Sequence, residues 1–598
     1  MLALALNLFR LQVLDAQELQ ERAIAQQTIN YQPFVPRRPI VDASGNVLAI
    51  DRPAFTLYAH PILFSISPLN VATQLAPLLR QDVLALAERL DQGESGIELK
   101  YALSESEADK IRALGIDGLE LVRHQQRIYP QNDLFANIIG YVNVDQQGQA
   151  GIEASHQAEL QRPVKAAELR LTGDGLLLPD QVPEGFFQVD DLSLQLALDS
   201  SLQRTARTSL QEQMAKYQAK RGAVLVMDVR DGSLPVLVTE PTYNPNDYSS
   251  ADVSLFRNWA ITDLYEPGST FKPVNVAIAL EEGKITPEES FYDEGAIEVG
   301  GWPIENFDYR ENGGRGNQTV TEIITYSSNV GMVHIMQRLE PETYYRWLER
   351  LQLEEATGID LPSEASGQMK DHEQFISASI EPATTAFGQG FSLTPLKLLQ
   401  LHGTLASGGK LMVPHVVQGL VDSEGNLVTP MPVDPPKSLF SQKTAQQVLT
   451  MMEHTVDEGT GRVARIPGHR IAGKTGTAQK ASPDGGYLEN ARITSFVSIL
   501  PANQPRYVVA VVVDEPQGDD AYGSTVSAPV ARSVMNALIS RDQLLPTEPI
   551  TPEDLMADPE QTDATQDETF EEEYVPAPLE ESTETWQEES WEEIPPEP

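Results

Sequence analysis

Three short segments hold side chains whose types and spacing could do chemistry together. "GSTFKP" (268–273) presents Ser269 and Lys272 as S-x-x-K, "SSN" (327–329) presents Ser327 and Asn329 as S-x-N, and "GKTGT" (473–477) presents Lys474, Thr475, Gly476 and Thr477. A serine hydroxyl is a weak nucleophile until a neighbouring base takes its proton, and lysine is a base only when neutral. Residues three apart share one helix face, so the Lys272 amine can reach the Ser269 hydroxyl. Burial, a helix N-terminus and a second cation nearby would each favour the neutral amine. Each pattern alone is weak: S-x-x-K also describes an exposed helix start with a capping serine, and S-x-N is commonly a turn. Their order, and a suitable local structure for each, make the combination a strong signal for acyl transfer by a serine nucleophile.

The same region spells a rival. "GHRIAGKT" (468–475) fits G-x-x-x-x-G-K-[ST], the phosphate-binding loop of nucleotide hydrolases, and "YVVAVVVDEP" (507–516) looks like the strand whose acid holds magnesium there. A phosphate loop must follow a buried strand and open a helix whose first amides hold the anion. Here "EGTGRVARIP" upstream is too polar for a central strand, and Gly476, Pro483, Gly485 and Gly486 deny a helix downstream. The phosphate-loop reading therefore fails on context.

The three segments need a scaffold. A helix is expected from about Gly268, with Pro273 in its first turn, where a missing N–H costs little. Ser327–Asn329 open a second helix, and Lys474–Thr477 lie on a strand. "ITSFVSIL" (493–500) and "YVVAVVVDEP" are joined by only "PANQPR", enough for an antiparallel pair and too short for a parallel crossover. Residues 222–238 read as a hairpin around Arg-Asp-Gly, preceded by a helix capped near Asp199 or Ser200 and running to about Lys220. "APVARSVMNALISRD" (528–542) is a closing helix. Upstream, 11–30 has helical spacing, and Pro33 to about Asp190 is a β-rich α+β module with helical inserts near 69–90 and 104–113. That module shows no metal-ligand spacing.

Composition narrows the function. The 598 residues contain no cysteine, which excludes thiol nucleophiles, disulfides and cysteine-ligated zinc. A net charge of −44 argues against nucleic acid as a partner. From Asp542 to Pro598 there are 20 acidic residues and no Lys or Arg. This Pro-, Glu- and Thr-rich tail has too few aliphatics to offset ordering entropy and reads as disordered; Trp586 and Trp591 offer a short partner-binding motif as the alternative to a solvating role. The start, "MLALALNLFRLQVL", is broken by Asn7 and Arg10, shorter than a membrane span, and lacks a signal peptide's basic region and cleavage site.

With the triple motif, "RNWAITDLYEPGSTFKP" (257–273), "TTAFGQGFSLTPLKLLQLHGTLASGG" (384–409), "AGKTGTAQ" (472–479), "YGSTVSAPVA" (522–531) and "IIGYVNVDQQGQAGIE" (138–153), nearly the whole folded body resembles the class B penicillin-binding proteins. These are monofunctional D,D-transpeptidases of peptidoglycan synthesis. Their Arg-Gly module start appears here as "RRPIVDASGNVLA" (37–49), with Pro39 where glycine is usual. The resemblance implies an α+β penicillin-recognising serine transferase fold over 191–541, an antiparallel five-stranded sheet flanked by helices. It also implies an elongated, non-catalytic β-rich pedestal (dimerisation-type) domain over 15–190 and a disordered acidic tail over 542–598. By the match of "LFRLQVL" (8–14) to the family, residues 1–14 would be the outer end of a single-pass inner-membrane anchor that starts outside this chain, with the catalytic domain on the periplasmic side.

The resemblance implies roles as well. Ser269 would attack the penultimate D-alanine of a stem peptide, Lys272 would take its proton, and Ser327 would pass one to the departing D-alanine. Asn329 would hold the substrate amide, and Lys474, Thr475 and Thr477 the terminal carboxylate, with Gly476 allowing close approach. An oxyanion hole is expected from the N–H groups of Ser269 and Thr477. No cofactor or metal is implied. Expected partners are stem peptides on the lipid-linked precursor, β-lactams, a membrane-embedded glycosyltransferase and division proteins. The wording of "EPGSTFKP" and "AGKTGTAQ" favours the septal type. The alternatives are an elongation- or sporulation-type transpeptidase, or a D,D-carboxypeptidase or β-lactamase-type hydrolase. A dead scaffold protein would have lost Ser269 or Lys272, and residues 1–190 show no glycosyl-transfer acid motif.

Overall fold

The computed structural model describes residues 2–31, 35–163, 167–170, 189–481 and 486–550. The acidic tail expected to be disordered falls, from residue 551 onward, outside the described residues, as do Trp586 and Trp591.

The catalytic-motif region is built on six helices and five strands that matter to the site. In chain order these are α1 (Ser200–Lys216), β1 (Arg221–Asp228), β2 (Val236–Glu240), α2 (Lys272–Glu281), α3 (Asn329–Met336), α4 (Pro395–Ala406), α5 (Gln442–Asp457), β3 (Ala472–Ala481), β4 (Tyr487–Leu500), β5 (Tyr507–Asp514) and α6 (Ala528–Asp542). The strands form one sheet in the order β3-β4-β5-β1-β2. Every pairing is antiparallel, and one line of register crosses it: Lys474 opposite Val497, Val497 opposite Ala510, Ala510 opposite Leu225. The residues following Thr475 stay in β3, so Lys474 lies mid-strand and opens no helix. This removes the structural basis for a phosphate loop.

The run "YVVAVVVD" has no polar face because the sheet has none at this strand. All eight residues of β5 are buried. Val508, Ala510 and Val512 join one hydrophobic cluster with α4, while Tyr507, Val509, Val511 and Val513 join a second with α1 and α6. Side chains alternate faces along a strand, so helices on both sides turn an antiparallel strand into the continuous apolar run usual for parallel sheets. Helix α4 is buried along its whole length, and its N-cap Thr394 accepts from the Lys397 N–H at 3.0 Å. Asp199 caps α1 by accepting from the N–H groups of Ser201 and Leu202.

In the N-terminal module, strands Val47–Ala59, Ile97–Leu103 and Leu119–Ile128 pair antiparallel, with helices Pro68–Leu79, Val83–Asp91 and Glu105–Arg112 packed on them. The sheet does not stop at the expected boundary near 190. Ile40–Val41 pairs parallel with Ser193–Leu196, which pairs in turn with Val417–Val421. A buried charge network ties the module's base. Arg37 and Arg127 both hold the Glu153 carboxylate, at 2.7 Å each, and Arg127 also reaches Asp51 at 3.1 Å.

The helix expected over 11–30 is divided. A helix spans Leu2–Phe9, a wider turn Arg10–Leu14, a second helix Ala16–Gln27, and Thr28–Tyr31 is a strand paired with Ala167–Arg170. The β-branched Thr28 and Ile29 and the aromatic Tyr31 favour that extended end. Among the described residues, no helix is long and apolar enough to cross a membrane.

Candidate active site

Ser269 sits on a tight turn held from three sides. Gly268 has φ of +56°, a conformation that favours glycine, and a Cβ there would come within 3.2 Å of the Ala478 Cβ on β3. Its N–H donates to the Gly388 carbonyl at 2.9 Å. Gly268–Phe271 forms a 3₁₀ turn that runs directly into α2, with the Lys272 N–H donating to the Ser269 carbonyl. Side chains three apart are eclipsed in such a turn, which aligns Ser269 with Lys272. From behind, His402 of α4 donates through Nε2 to the Thr270 carbonyl at 2.8 Å. Burial pushes His402 down to about 4, so this ring is neutral at ordinary pH.

The S-x-N segment enters between a helix ending at Thr325 and α3. Ser327 has φ of +62°, left-handed and strained for a residue with a side chain. Ser328 caps α3, accepting from the Gly331 N–H at 2.8 Å.

Two lysines converge on this segment. Lys272 and Lys474 are both 0% exposed. The Lys272 amine donates to the Ser327 carbonyl and to Asn329 Oδ1 (2.8 Å), and lies 3.3 Å from the Ser327 hydroxyl. The Lys474 amine donates to the same hydroxyl at 2.9 Å and to the Thr475 carbonyl at 3.2 Å. Among the described residues neither lysine has a carboxylate at ion-pair distance. Burial, then the Lys474 charge, hold Lys272 well below the ordinary lysine range, against an opposing pull from Asp293. Burial alone brings Lys474 to about 7. The Ser327 hydroxyl therefore bridges two amines that both shed protons readily, which suits it to relay a proton.

β3 is the edge strand on this side of the sheet, and an edge strand presents backbone groups its neighbour does not use. Gly476 lets it close on the serine turn: a Cβ there would lie 2.4 Å from the Ser495 Oγ, 2.9 Å from the Thr270 Cγ2 and 3.3 Å from the Pro267 carbonyl oxygen. Thr475 pairs its hydroxyl with that of Thr460 at 2.7 Å. Thr477 is exposed, and its hydroxyl accepts from the Gly523 N–H at 3.1 Å.

The segments read from sequence are thus brought together around Ser327, with two differences in detail. The Lys272 amine bonds to residues 327 and 329, whereas the half-buried Ser269 hydroxyl carries no hydrogen bond among the described residues. The Thr475 and Thr477 hydroxyls already have protein partners. Sequence reasoning missed Thr460, His402, Asp293 and Asn306, which carry no local signature. Gly523 belongs to "YGST", a stretch singled out for its resemblance alone. Among the described residues no cluster of three His, Asp or Glu side chains is placed to hold a metal ion.

The antiparallel sheet, with the Ser327 hydroxyl between two buried amines beside the turn that carries Ser269, is an arrangement suited to acyl transfer by a serine. Residues 222–536 match the penicillin binding protein transpeptidase domain, and residues 34–162 the penicillin-binding protein dimerisation domain. A peptidoglycan D,D-transpeptidase FtsI homolog of Mesostigma viride is 40% identical over 561 residues, covering 91% of this chain and 94% of the relative. Peptidoglycan D,D-transpeptidase FtsI of Escherichia coli K12 is 31% identical, covering 90% of each. The crystal structure of penicillin binding protein 3 of Mycobacterium tuberculosis with ampicillin is alike in fold, with a TM-score of 0.66 and 24% identity over 87% of this chain and 99% of that one. The chain belongs to the class B penicillin-binding proteins.

Proposed function

We propose that this protein is a peptidoglycan D,D-transpeptidase of septal wall synthesis that works through an acyl-enzyme on Ser269. The observation that carries the reading is the Ser327 hydroxyl held between Lys272 and Lys474, beside the turn that presents Ser269. The Ser269 oxygen attacks the carbonyl carbon of the penultimate D-alanine while Lys272, kept neutral by burial and by Lys474, accepts the hydroxyl proton. The C–N bond to the terminal D-alanine breaks, and its nitrogen receives a proton through Ser327. A neighbouring stem-peptide amine then attacks the ester, forming the cross-link and returning the proton to Ser269. Asn329 orients the substrate amide. Lys474, with Thr475 and Thr477, receives the terminal carboxylate, and the edge position of β3 supports an oxyanion hole from the N–H groups of Ser269 and Thr477. One donor of that kind is worth about 10²–10³ in rate.

In the same reading residues 191–541 are the transpeptidase domain, 15–190 the pedestal and 542–598 an acidic tail. Residues 1–14, whose Leu4, Phe9 and Leu14 are exposed, form the outer end of an inner-membrane anchor that leaves the catalytic domain outside the cytoplasm. A membrane-embedded glycosyltransferase and division proteins are the partners, and β-lactams acylate Ser269 as mimics of D-Ala-D-Ala. The test is covalent labelling with a fluorescent penicillin. Wild type labels and Ser269→Ala does not; equal labelling of the two, or an unlabelled wild type, overturns the assignment.

A further inference from the structure

We propose that Asp293 and Asn306 are positioning residues of this site: they hold residues 328–330 so that Asn329, and Ser327 directly before them, meet Lys272. The inference rests on the transpeptidase reading and adds two residues to it.

Asp293 ends the strand Ser290–Asp293 and is 0% exposed. Its carboxylate accepts from the Gly295 N–H (2.8 Å), the Asn306 amide (2.8 and 2.9 Å) and the Ser328 hydroxyl (2.6 Å). Among the described residues no cation lies at ion-pair distance from it. A buried carboxylate without a cation is costly, and two of its three partners are Ser328 itself and Asn306, which holds the neighbours of Ser328. Asn306, 4% exposed, turns its Oδ1 to the N–H groups of Asn329 (2.8 Å) and Val330 (3.1 Å). The Asn329 amide in turn donates to the Glu305 carbonyl at 2.9 Å. The first amides of α3 are therefore met by Asn306, and the tether begins at Ser328, directly after the left-handed Ser327.

Asp293 also acts on Lys272 through space. Its charge favours the ammonium form, against Lys474 on β3. Other titratable groups on the elements packed here face elsewhere or are neutral: His402 of α4 meets the Thr270 carbonyl, His334 of α3 meets Glu294, Glu453 of α5 meets Arg470, and Arg315 meets Asp308. The base must be neutral, so acylation falls as pH drops through the Lys272 titration. Removing the Asp293 charge moves that acid limb to lower pH.

The experiment measures the rate constant for acylation of the full chain by fluorescent penicillin across pH, with thermal midpoints alongside. Asp293→Asn is expected to slow acylation about 10- to 100-fold, the order set by small misplacements of catalytic groups, and to shift the acid limb downward. Ser328→Ala cuts the tether and keeps the charge, so it slows acylation with the limb unmoved. A fold defect alone would move neither the limb nor the rate constant of the folded fraction. If Asp293→Asn does not fold, Ser328→Ala decides: a wild-type rate constant overturns the proposal. Unchanged rate and limb in a folded Asp293→Asn overturn it equally. Failure of wild type to label refutes the transpeptidase reading instead.

Discussion

Gly476→Ala tests whether the contact between β3 and the serine turn sets the rate of acyl transfer. The added methyl would start 2.9 Å from the Thr270 Cγ2 and 2.4 Å from the Ser495 Oγ. Carbon atoms rest at about 3.5–4.0 Å, so the Thr270 methyl has to retreat by roughly 0.6–1.1 Å, and Thr270 is the residue after Ser269, the proposed nucleophile. The Ser495 hydroxyl can rotate away in part, but its Cβ is fixed on β4. Overpacking of this kind costs about 1–3 kcal/mol of stability. A nucleophile misplaced by about 1 Å loses about 10²-fold in rate. Gly473→Ala, three residues earlier and on the other face of the strand, supplies the control. Its methyl would start 2.8 Å from both the Phe496 Cζ and the Val456 Cγ2, in the core behind the site. Both variants should melt earlier than wild type, whereas only Gly476→Ala should acylate slowly in a time course of fluorescent penicillin binding. A Gly476→Ala enzyme that acylates at the wild-type rate, or a Gly473→Ala enzyme that is equally slow, refutes the reasoning.

The alkaline side of the pH–rate profile should report Lys474. Its amine titrates at about 7, so its charge, and the pull on a carboxylate ligand, is lost as pH rises through that value. The acylation constant should fall on that side, and Lys474→Arg, whose guanidinium stays charged, should lower the plateau and abolish the limb; a limb that persists in Lys474→Arg removes Lys474 as its source. At the junction of the two modules, Arg207 holds Asp133 through two hydrogen bonds (2.9 and 2.6 Å) and Glu240 through Nε. Burial raises the Glu240 carboxyl, so Arg207→Ala leaves a nearly buried acid without its cation. The expected loss is about 2–3 kcal/mol in urea denaturation, below the value for a fully buried pair because Asp133 is partly exposed; a loss under about 0.5 kcal/mol would mark the pair as unimportant.

The segments of the candidate site could be picked out because their residues sit at fixed offsets in short stretches. Ser269 and Lys272 share one turn, Ser327 and Asn329 flank one helix cap, and Lys474–Thr477 are consecutive. The antiparallel sheet was legible from the six-residue link between "ITSFVSIL" and "YVVAVVVDEP", a constraint of reach. Less visible were interactions between distant residues. Asp293 in "FYDEG" and His402 in "LQLHG" have ordinary surroundings, and only the fold sets them behind Ser328 and Thr270. The strand at Thr28–Tyr31 was missed because helical spacing continues through it, and its pairing partner lies some 140 residues later. The strand at Ser193–Leu196 lies in a stretch whose side chains alternate in character, but its pairing with Ile40–Val41 and Val417–Val421 joins residues too far apart in the chain for the sequence to show.

One line of register has a consequence for the order in which the sheet is assembled. Lys474 and Val497 connect to Leu225 only through Ala510 of β5. Every signature residue precedes position 478, yet β3 and β4 have no place in the sheet until β5 supplies the joining strand. A chain shortened to residue 500 would carry the full signature yet lack the strand that joins β3 and β4 to β1. During synthesis the sheet that carries Lys474 thus closes only once β5 has emerged.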